Sequence, residues 1–392
     1  MFKEIASGIR YIGVDDNTLD LFEGQYIIPE GISYNSYVIM DDKITIMDTA
    51  DGRMTNEWMA NLEDALEGKE PEYLVVLHME PAHAGCIKAL VEKYPNIKIV
   101  GNTKTFIFMG QFFDMDIEDK KVLVDEGDVL ELGSHSLTFI NAPMVHWPEV
   151  MVAYESETKA LFSADGFGKF GSLNDEVVLK DTSTWSCEAR RYYFNIVGKY
   201  GMQVQMLLKK AAALDIQMIC PLHGPVLKDD LQFFIDKYDT WSLYKPEDKG
   251  VLVAYASIHG NTAKAAKKMV ELLKEAGEEK VAVTDLTRDD LAEAVEDAFR
   301  YDRVVLAASS YDGSVFTSME IFLNRLAHKG YRNRTVAIIE NGTWAPSAAR
   351  KMKEILATMK DVEVLDNVVT IKSSMNDANI ASMKELAKEL VG

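Results

Sequence analysis

The chain has 392 residues, 47% hydrophobic and 27% charged, the make-up of an ordinary globular protein with room for two cores. A net charge of −20 repels nucleic acid and anionic membrane surfaces, which excludes both as expected partners. No apolar run approaches the roughly 20 residues needed to cross a bilayer. The opening MFKEIASGIRYIG lacks the apolar core of a signal peptide. Cys86, Cys187 and Cys220 are scattered, without a C-x-x-C pair, which disfavours a disulfide framework, a zinc ribbon and an iron–thiolate centre. A reducing cytoplasm is the expected location.

In chain order, YVIMDDKITIMD (37–48) reads as a β-hairpin turning at Asp41 to Lys43. Strands are expected at YLVVL (73–77), LTFINA (137–142), ALFSAD (160–165) and QMICPLHG (217–224), with helices at CIKALVEKY and MQVQMLLKKAAAL. Many strands and fewer helices suggest a layered α/β domain over residues 1–248. WSLYKPEDKG (241–250) is polar, holds Pro246 and Gly250, and reads as a linker. Beyond it the pattern becomes regular βα alternation over 249–392, with strands at 251–256, 281–286, 304–309, 335–340 and 364–371. Ala266, Met269, Val270 and Leu273 recur at helical spacing, and Gly277 is a suitable stop. Five such strands predict a doubly wound parallel sheet.

Metal ligands tend to gather where rigid strands end. His78 and Glu80 follow YLVVL, with His83 just after, inside VVLHMEPAHAG. His146 follows LTFINAPMV, Asp165 closes ALFSAD and His223 follows QMICPL. Four of only seven histidines thus lie beyond expected strands, in company with two carboxylates.

The spacing His78-x-Glu80-x-x-His83, then His146, Asp165 and His223, resembles the diiron site of the flavodiiron proteins. SYNSYVI near the start and PMVHWPEV around His146 extend the resemblance over essentially the whole chain. It implies an αββα sandwich of the metallo-β-lactamase type carrying two iron ions, followed by a flavodoxin-like domain with FMN. By the same resemblance His78, Glu80 and His146 bind one iron, His83 and His223 the other, and Asp165 bridges them. Glu80 stands where hydrolytic relatives of this fold place a histidine. A carboxylate there makes the site harder, favouring iron over zinc. The family pattern is H-x-E-x-D-H, and position 82 carries alanine where an aspartate would ligate the second iron. Water filling the position, a ligand-deficient form and a substituting neighbouring carboxylate are the three readings of Ala82. The resemblance also places Phe22, Glu23, Tyr34 and Tyr37 around the iron pocket, with Tyr37 alternatively a core residue.

Three loops of the second half carry the cofactor reading. YASIHGNT (255–262) joins the first strand to its helix; Ser257, Asn261 and Thr262 offer donors, and Gly260 lets the backbone approach a ligand. It is neither a Walker loop nor a G-x-G-x-x-G turn. It resembles a flavodoxin phosphate loop, with Ser257, Ile258, His259, Gly260, Asn261 and Thr262 around the FMN phosphate and His259 a bystander to catalysis. Ser309, Ser310, Tyr311, Asp312, Gly313 and Ser314 follow the third strand. Asn341, Gly342, Thr343, Trp344 and Ala345 follow the fourth. Both lie at the carboxyl edge where open α/β sheets bind ligands, with Tyr311 and Trp344 positioned for the isoalloxazine. HKGYRNR (328–334) is a basic island, read as a solvated turn with docking of an acidic donor as the alternative.

The reading is a flavodiiron oxidoreductase that takes electrons from an external donor through FMN and reduces dioxygen to water or nitric oxide to nitrous oxide. No side chain acts as a catalyst beyond the metal ligands. The chain has no rubredoxin-like C-x-x-C pair, so the donor is separate: a rubredoxin, or a reduced deazaflavin. Family members bring flavin and iron together in head-to-tail homodimers or dimers of dimers, and the resemblance implies the same here. The rivals are an electron-transfer flavoprotein with its second iron site impaired at Ala82, and a zinc hydrolase fused to a flavin domain.

Overall fold

Short strands with apolar residues on both faces require cover on both sides, and the first half of the chain supplies it by folding most of its strands into two large sheets. The structure is a computed structural model that describes residues 2–392. The first sheet has seven strands, in the spatial order Lys3–Ala6, Ile9–Tyr11, Tyr37–Ile39, Thr45–Met47, Tyr73–Val75, Lys98–Gly101 and Lys121–Leu123. The second has five, in the order Val129–Glu131, Ser136–Asn141, Met151–Glu155, Ala160–Phe162 and Met218–Cys220. The expected hairpin is present: Tyr37–Ile39 pairs antiparallel with Thr45–Met47, Val38 opposite Ile46. All six residues of these two strands are buried, so both faces of the hairpin pack.

The second half forms a parallel sheet in the order Val281–Asp285, Asp248–Ala256, Tyr301–Tyr311, Arg334–Asn341 and Val362–Ile371, with the short Ser314–Val315 antiparallel to the third-named strand. Every pair along the main path is parallel. All five expected strands are there, and the order 2-1-3-4-5 is the flavodoxin-like one, with its switch point beside the first strand. The helix Asn261–Glu275 buries Ala265, Ala266, Met269, Leu272 and Leu273 against this sheet's core, with Val270 partly packed. Gly277 at φ +101 ends it in a conformation other residues rarely adopt.

Two compact units divide the chain: Met1–Tyr193 with Met202–Asp239, and Phe194–Gly201 with Thr240–Gly392. The short excursion Phe194–Gly201 was not legible as a boundary. Its anchor within the second unit is Phe194, stacked on Phe299 at 4.3 Å. The expected linker is also shorter than 241–250. The helix Leu231–Ser242 runs into it, Trp241 is fully buried with Nε1 donating to Glu247 at 2.8 Å, and the next strand begins at Asp248.

Candidate metal centre and cofactor pocket

The first half of the site grows out of the strand Tyr73–Val75. Asp48 accepts from the backbone N–H groups of Leu77 at 2.8 Å and His78 at 3.3 Å, fixing the chain as it leaves the sheet. Glu80 then caps a single helical turn, Pro81–Ala84, whose proline presets the first helical φ. The His83 carbonyl accepts from Thr49 Oγ1 at 2.6 Å and Thr49 N at 2.9 Å. Beyond the second sheet, Ser163 Oγ donates to the Gly166 carbonyl at 2.7 Å and closes the turn that carries Asp165. His223 sits in a loop pinned by Asn35, which donates to Pro221 O at 2.8 Å and Gly224 O at 2.6 Å. Tyr37 OH also donates to Pro221 O, at 2.7 Å, and its ring packs on Tyr11 and Phe162; it is a core residue of this domain.

All six expected ligands meet here, and all are buried. They form two groups that share Asp165: His78, Glu80, His146 and Asp165, and then His83, Asp165 and His223. Asp165 Oδ2 lies 3.3 Å from His78 Nε2 and 3.1 Å from His146 Nε2, while Oδ1 lies 3.1 Å from His83 Nε2. Glu80 Oε2 is 3.1 Å from His146 Nε2 and 3.4 Å from His78 Nε2. Donor atoms held about 2.0–2.2 Å from one ion are themselves about 3.0–3.5 Å apart, so these spacings suit chelation.

Whether a metal fits is decided by what the buried atoms lack. His78 Nε2, His83 Nε2, His223 Nε2 and both oxygens of Asp165 make no hydrogen bond. Buried polar atoms left unpaired cost about 1–3 kcal/mol each, more when charged. Five converging at one place are hard to explain without cations. Two of the four outward nitrogens are occupied: His78 Nδ1 lies 2.7 Å from Glu149 Oε1, and His223 Nδ1 lies 2.6 Å from the Ser33 carbonyl. Each bond fixes a tautomer that leaves Nε2 free to ligate.

The charge balance points the same way. Burial opposes protonation of His78, but Asp165, Glu149 and Glu80 outweigh it and hold its pKa well above the ordinary value. His146 is likewise raised to about 9, burial being overcome by Asp165 and Glu80. Against their own burial, His78 and its neighbours hold Glu80 and Asp165 low. This is a pocket that demands positive charge. His223 is the exception: burial and His83 push it down to about 4, leaving a neutral imidazole suited to a metal.

Glu149 and Tyr192 are members of the site that sequence reasoning missed. Glu149 is fully buried and also accepts from Met79 N at 2.9 Å, yet it stands 71 positions from His78 and nothing in HWPEV marks that pairing. The Tyr192 ring lies 5.7 Å from that of His223, and its buried hydroxyl has no hydrogen-bond partner. Burial and the charges of Asp165 and Glu80 keep it protonated. Phe22 and Tyr34 contact His223 edge-on or tilted at 5.4 and 5.8 Å, as expected, while Glu23 acts on Tyr192 through its charge. Trp147 abuts His78 at 5.3 Å and completes an aromatic wall.

In the second unit, a cleft of about 530 Å³ opens at the carboxyl edge of the parallel sheet. Ser257, Ile258, His259, Asn261 and Thr262 line it, with Ser309, Ser310, Tyr311, Asp312 and Gly313, and Asn341, Gly342, Thr343, Trp344 and Ala345. Gly260 shapes the turn at φ +86 and caps the following helix without a side-chain bond, leaving first-turn N–H groups for a ligand. Ser314 departs from expectation. It does not line the cleft; it pairs with Tyr311 in the short strand, and its carbonyl accepts from Ser347 Oγ at 2.7 Å. Ser347 and Ser373 line the cleft instead, brought in by hydrogen bonds to Ser310 and Asn341. Trp344 is 89% exposed and Tyr311 47% exposed, large rings at the rim with little protein cover. A cleft of this size with stacking rings, hydroxyls and an uncapped helix start suits a phosphorylated aromatic cofactor.

The basic island is not all surface. Arg334 is buried and donates to Tyr301 O and Tyr244 O, both at 2.7 Å, and to Phe299 O. Its run of cations is in part a structural clamp, which corrects both the solvated-turn and docking readings for that residue.

Comparison with known proteins matches residues 32–224 to the ODP family beta lactamase model and 252–369 to a flavodoxin domain. The rubredoxin-oxygen oxidoreductase of Megalodesulfovibrio gigas is 30% identical over 283 residues, 70% of this chain and 69% of that protein. The nitric oxide reductase of Moorella thermoacetica is 27% identical over 398 residues, 98% and 97% of the two chains. The crystal structure of the flavodiiron protein from Giardia intestinalis superposes with a TM-score of 0.92 at 24% identity, covering 100% of this chain and 96% of that one, a likeness of fold.

Proposed function

The chain belongs to the flavodiiron proteins, and from that premise we propose that it relays electrons from an external donor through FMN to a diiron centre. There dioxygen is reduced to water, nitric oxide to nitrous oxide, or both. We assign residues 1–248 to the metal domain and 249–392 to the flavin domain. The observation that carries the reading is Asp165, fully buried, with one oxygen turned to each group of histidines and neither oxygen hydrogen-bonded. The names of the relatives support both acceptors, one an oxygen oxidoreductase and the other a nitric oxide reductase.

Bound FMN and paired iron together supply electron storage, so that electrons arriving singly leave in pairs. His78, Glu80, His146 and Asp165 would hold one ion, and His83, His223 and Asp165 the other. Glu149 keeps the proton of His78 on Nδ1, and the Ser33 carbonyl does so for His223, which turns both Nε2 lone pairs inward. Phe22, Tyr34, Tyr192 and Trp147 wall the site with aromatic surface and limit water. Tyr192 retains its phenol proton on the hydroxyl oxygen, a donor beside the ligands. In the second domain the turn at Gly260 and the start of the Asn261–Glu275 helix would take the phosphate. Trp344 and Tyr311 would flank the ring.

The donor is proposed to be a rubredoxin, a reading supported by the name of the Megalodesulfovibrio relative; a reduced deazaflavin is the other candidate. The active unit is proposed to be a head-to-tail homodimer. An exposed aromatic face near the metal site supports it: Phe112, 46% exposed, stacks on Trp147. Among the described residues no helix is long and apolar enough to cross a membrane, and a cytoplasmic location is proposed. The test is product analysis: reduced, iron-loaded protein is mixed with nitric oxide or with dioxygen. Nitrous oxide, or water without released peroxide, is expected. Stoichiometric hydrogen peroxide and no nitrous oxide would overturn the proposal.

A further inference from the structure

The two groups of ligands are unequal in their donors and in the anchoring of those donors. One has four side-chain donors and the other three. In the first, Glu80 belongs to that group alone and Asp165 is shared; the second has only the shared carboxylate. The helical turn Pro81–Ala84 and its cap Glu80 place donors at Glu80 and His83, while the buried Ala82 between them offers none. Anchoring differs as well. The Glu149 carboxylate holds His78, whereas only a neutral carbonyl holds His223. Beside this weaker group stands Tyr192, its ring 5.7 Å from that of His223 and its buried hydroxyl without an acceptor.

Resting on the diiron reading above, we infer that the two metal positions are inequivalent by construction. The position framed by His78, Glu80, His146 and Asp165 fills first. The position framed by His83, Asp165 and His223 binds its ion more weakly and completes its coordination with a small exogenous carboxylate. A divalent ion there meets two neutral imidazoles and half the charge of one carboxylate, so an anionic ligand is favoured over water. The acid's oxygen displaces a bound water, with no change of oxidation state. Tyr192 is placed to donate to such an anion, which removes the cost of its own unpaired hydroxyl. His78, backed by a carboxylate, is also a more basic ligand than His223, backed by a carbonyl, and such outer partners commonly carry about 10–100-fold in metal affinity.

The experiment is an anaerobic titration of metal-free, FMN-containing protein with Co(II) as a spectroscopic probe. Ligand-field absorbance and equilibrium dialysis follow binding, first in a carboxylate-free buffer and then with millimolar acetate. Two resolved steps at least about tenfold apart are expected, the second tightened by about tenfold with acetate and the first unmoved. Ala82→Asp should tighten the second step without acetate and abolish the acetate response. Tyr192→Phe should keep both steps and weaken the acetate effect. Two ions binding in one step without carboxylate would overturn the inference while leaving the diiron reading intact. So would a second step indifferent to acetate. Uptake of a single ion even in saturating acetate would instead overturn the diiron reading itself.

Discussion

Replacing Glu149 by glutamine tests how far the metal site depends on a residue that touches no metal in the proposed arrangement. Glu149 Oε1 lies 2.7 Å from His78 Nδ1 and 2.9 Å from Met79 N, and the side chain is fully buried. Glutamine keeps an acceptor oxygen but loses the charge. A hydrogen bond to a charged group contributes about 1.5–3 kcal/mol against about 1 for a neutral one, so the substitution should cost about 1–2 kcal/mol of ligand positioning. That corresponds to roughly 5–30-fold weaker binding at the first metal position. Glu149→Ala removes the acceptor altogether and leaves two buried N–H groups unpaired, at about 1–3 kcal/mol each, so it should lose more affinity and also melt lower. Chelator competition on the anaerobically loaded protein, with thermal melts of the metal-free forms, gives both numbers. Metal retention in Glu149→Gln equal to the parent would refute the contribution of the carboxylate charge, because a neutral acceptor in the same place would then suffice.

The remaining predictions concern protons, the flavin cleft and the buried arginine. His146 is raised from 6.5 to about 9 in the metal-free fold, so its contribution to stability is complete below pH 6.5 and is lost as pH rises through about 9. Metal-free protein should therefore melt lower at pH 9 than at pH 6.5, and metal loading at pH 7.5 should release protons to an indicator dye; no release would contradict this. A Cβ at Gly342 would come within 2.7 Å of Pro346 Cα and 3.0 Å of Ser310 Oγ. Gly342→Ala should thus lose most FMN, read by fluorescence, while keeping its metal. Arg334→Met removes donors from three carbonyls in the interior and should destabilise the second domain by about 2–4 kcal/mol in urea. It should leave the KM for the donor unchanged, which a docking role would not.

The candidate metal site was legible as a cluster because its proposed chemistry is carried by residue types that are rare in buried surroundings and sit at strand ends: His78, Glu80 and His83 in one short run, then His146, Asp165 and His223. Their partners were not. Glu149 reads as one more glutamate, since its hydrogen bond is made across 71 positions, and Tyr192 lies in a helical stretch with no local mark of its neighbour His223. The same holds in the cleft. Loops that directly follow strands announced themselves, whereas Ser347 and Ser373 arrive only through tertiary bonds to Ser310 and Asn341. Among strands, the parallel sheet of the second half gave long apolar runs. Three-residue strands such as Ile9–Tyr11 and Lys121–Leu123 carry too few side chains for a period to emerge. Trp241 shows the converse error: a segment with proline and glycine looked like a linker, but one buried aromatic carried the helix into it.

The most direct test of the central claim is stopped-flow reoxidation of the flavin. FMN is reduced anaerobically in iron-loaded and in iron-free protein, and each is mixed with dioxygen and separately with nitric oxide. Fast flavin reoxidation by at least one of the two gases is expected in the loaded protein, with a marked slowing once iron is removed. Equal rates with and without iron would mean that electrons leave from the flavin itself, and the route through the histidine–carboxylate centre would be contradicted.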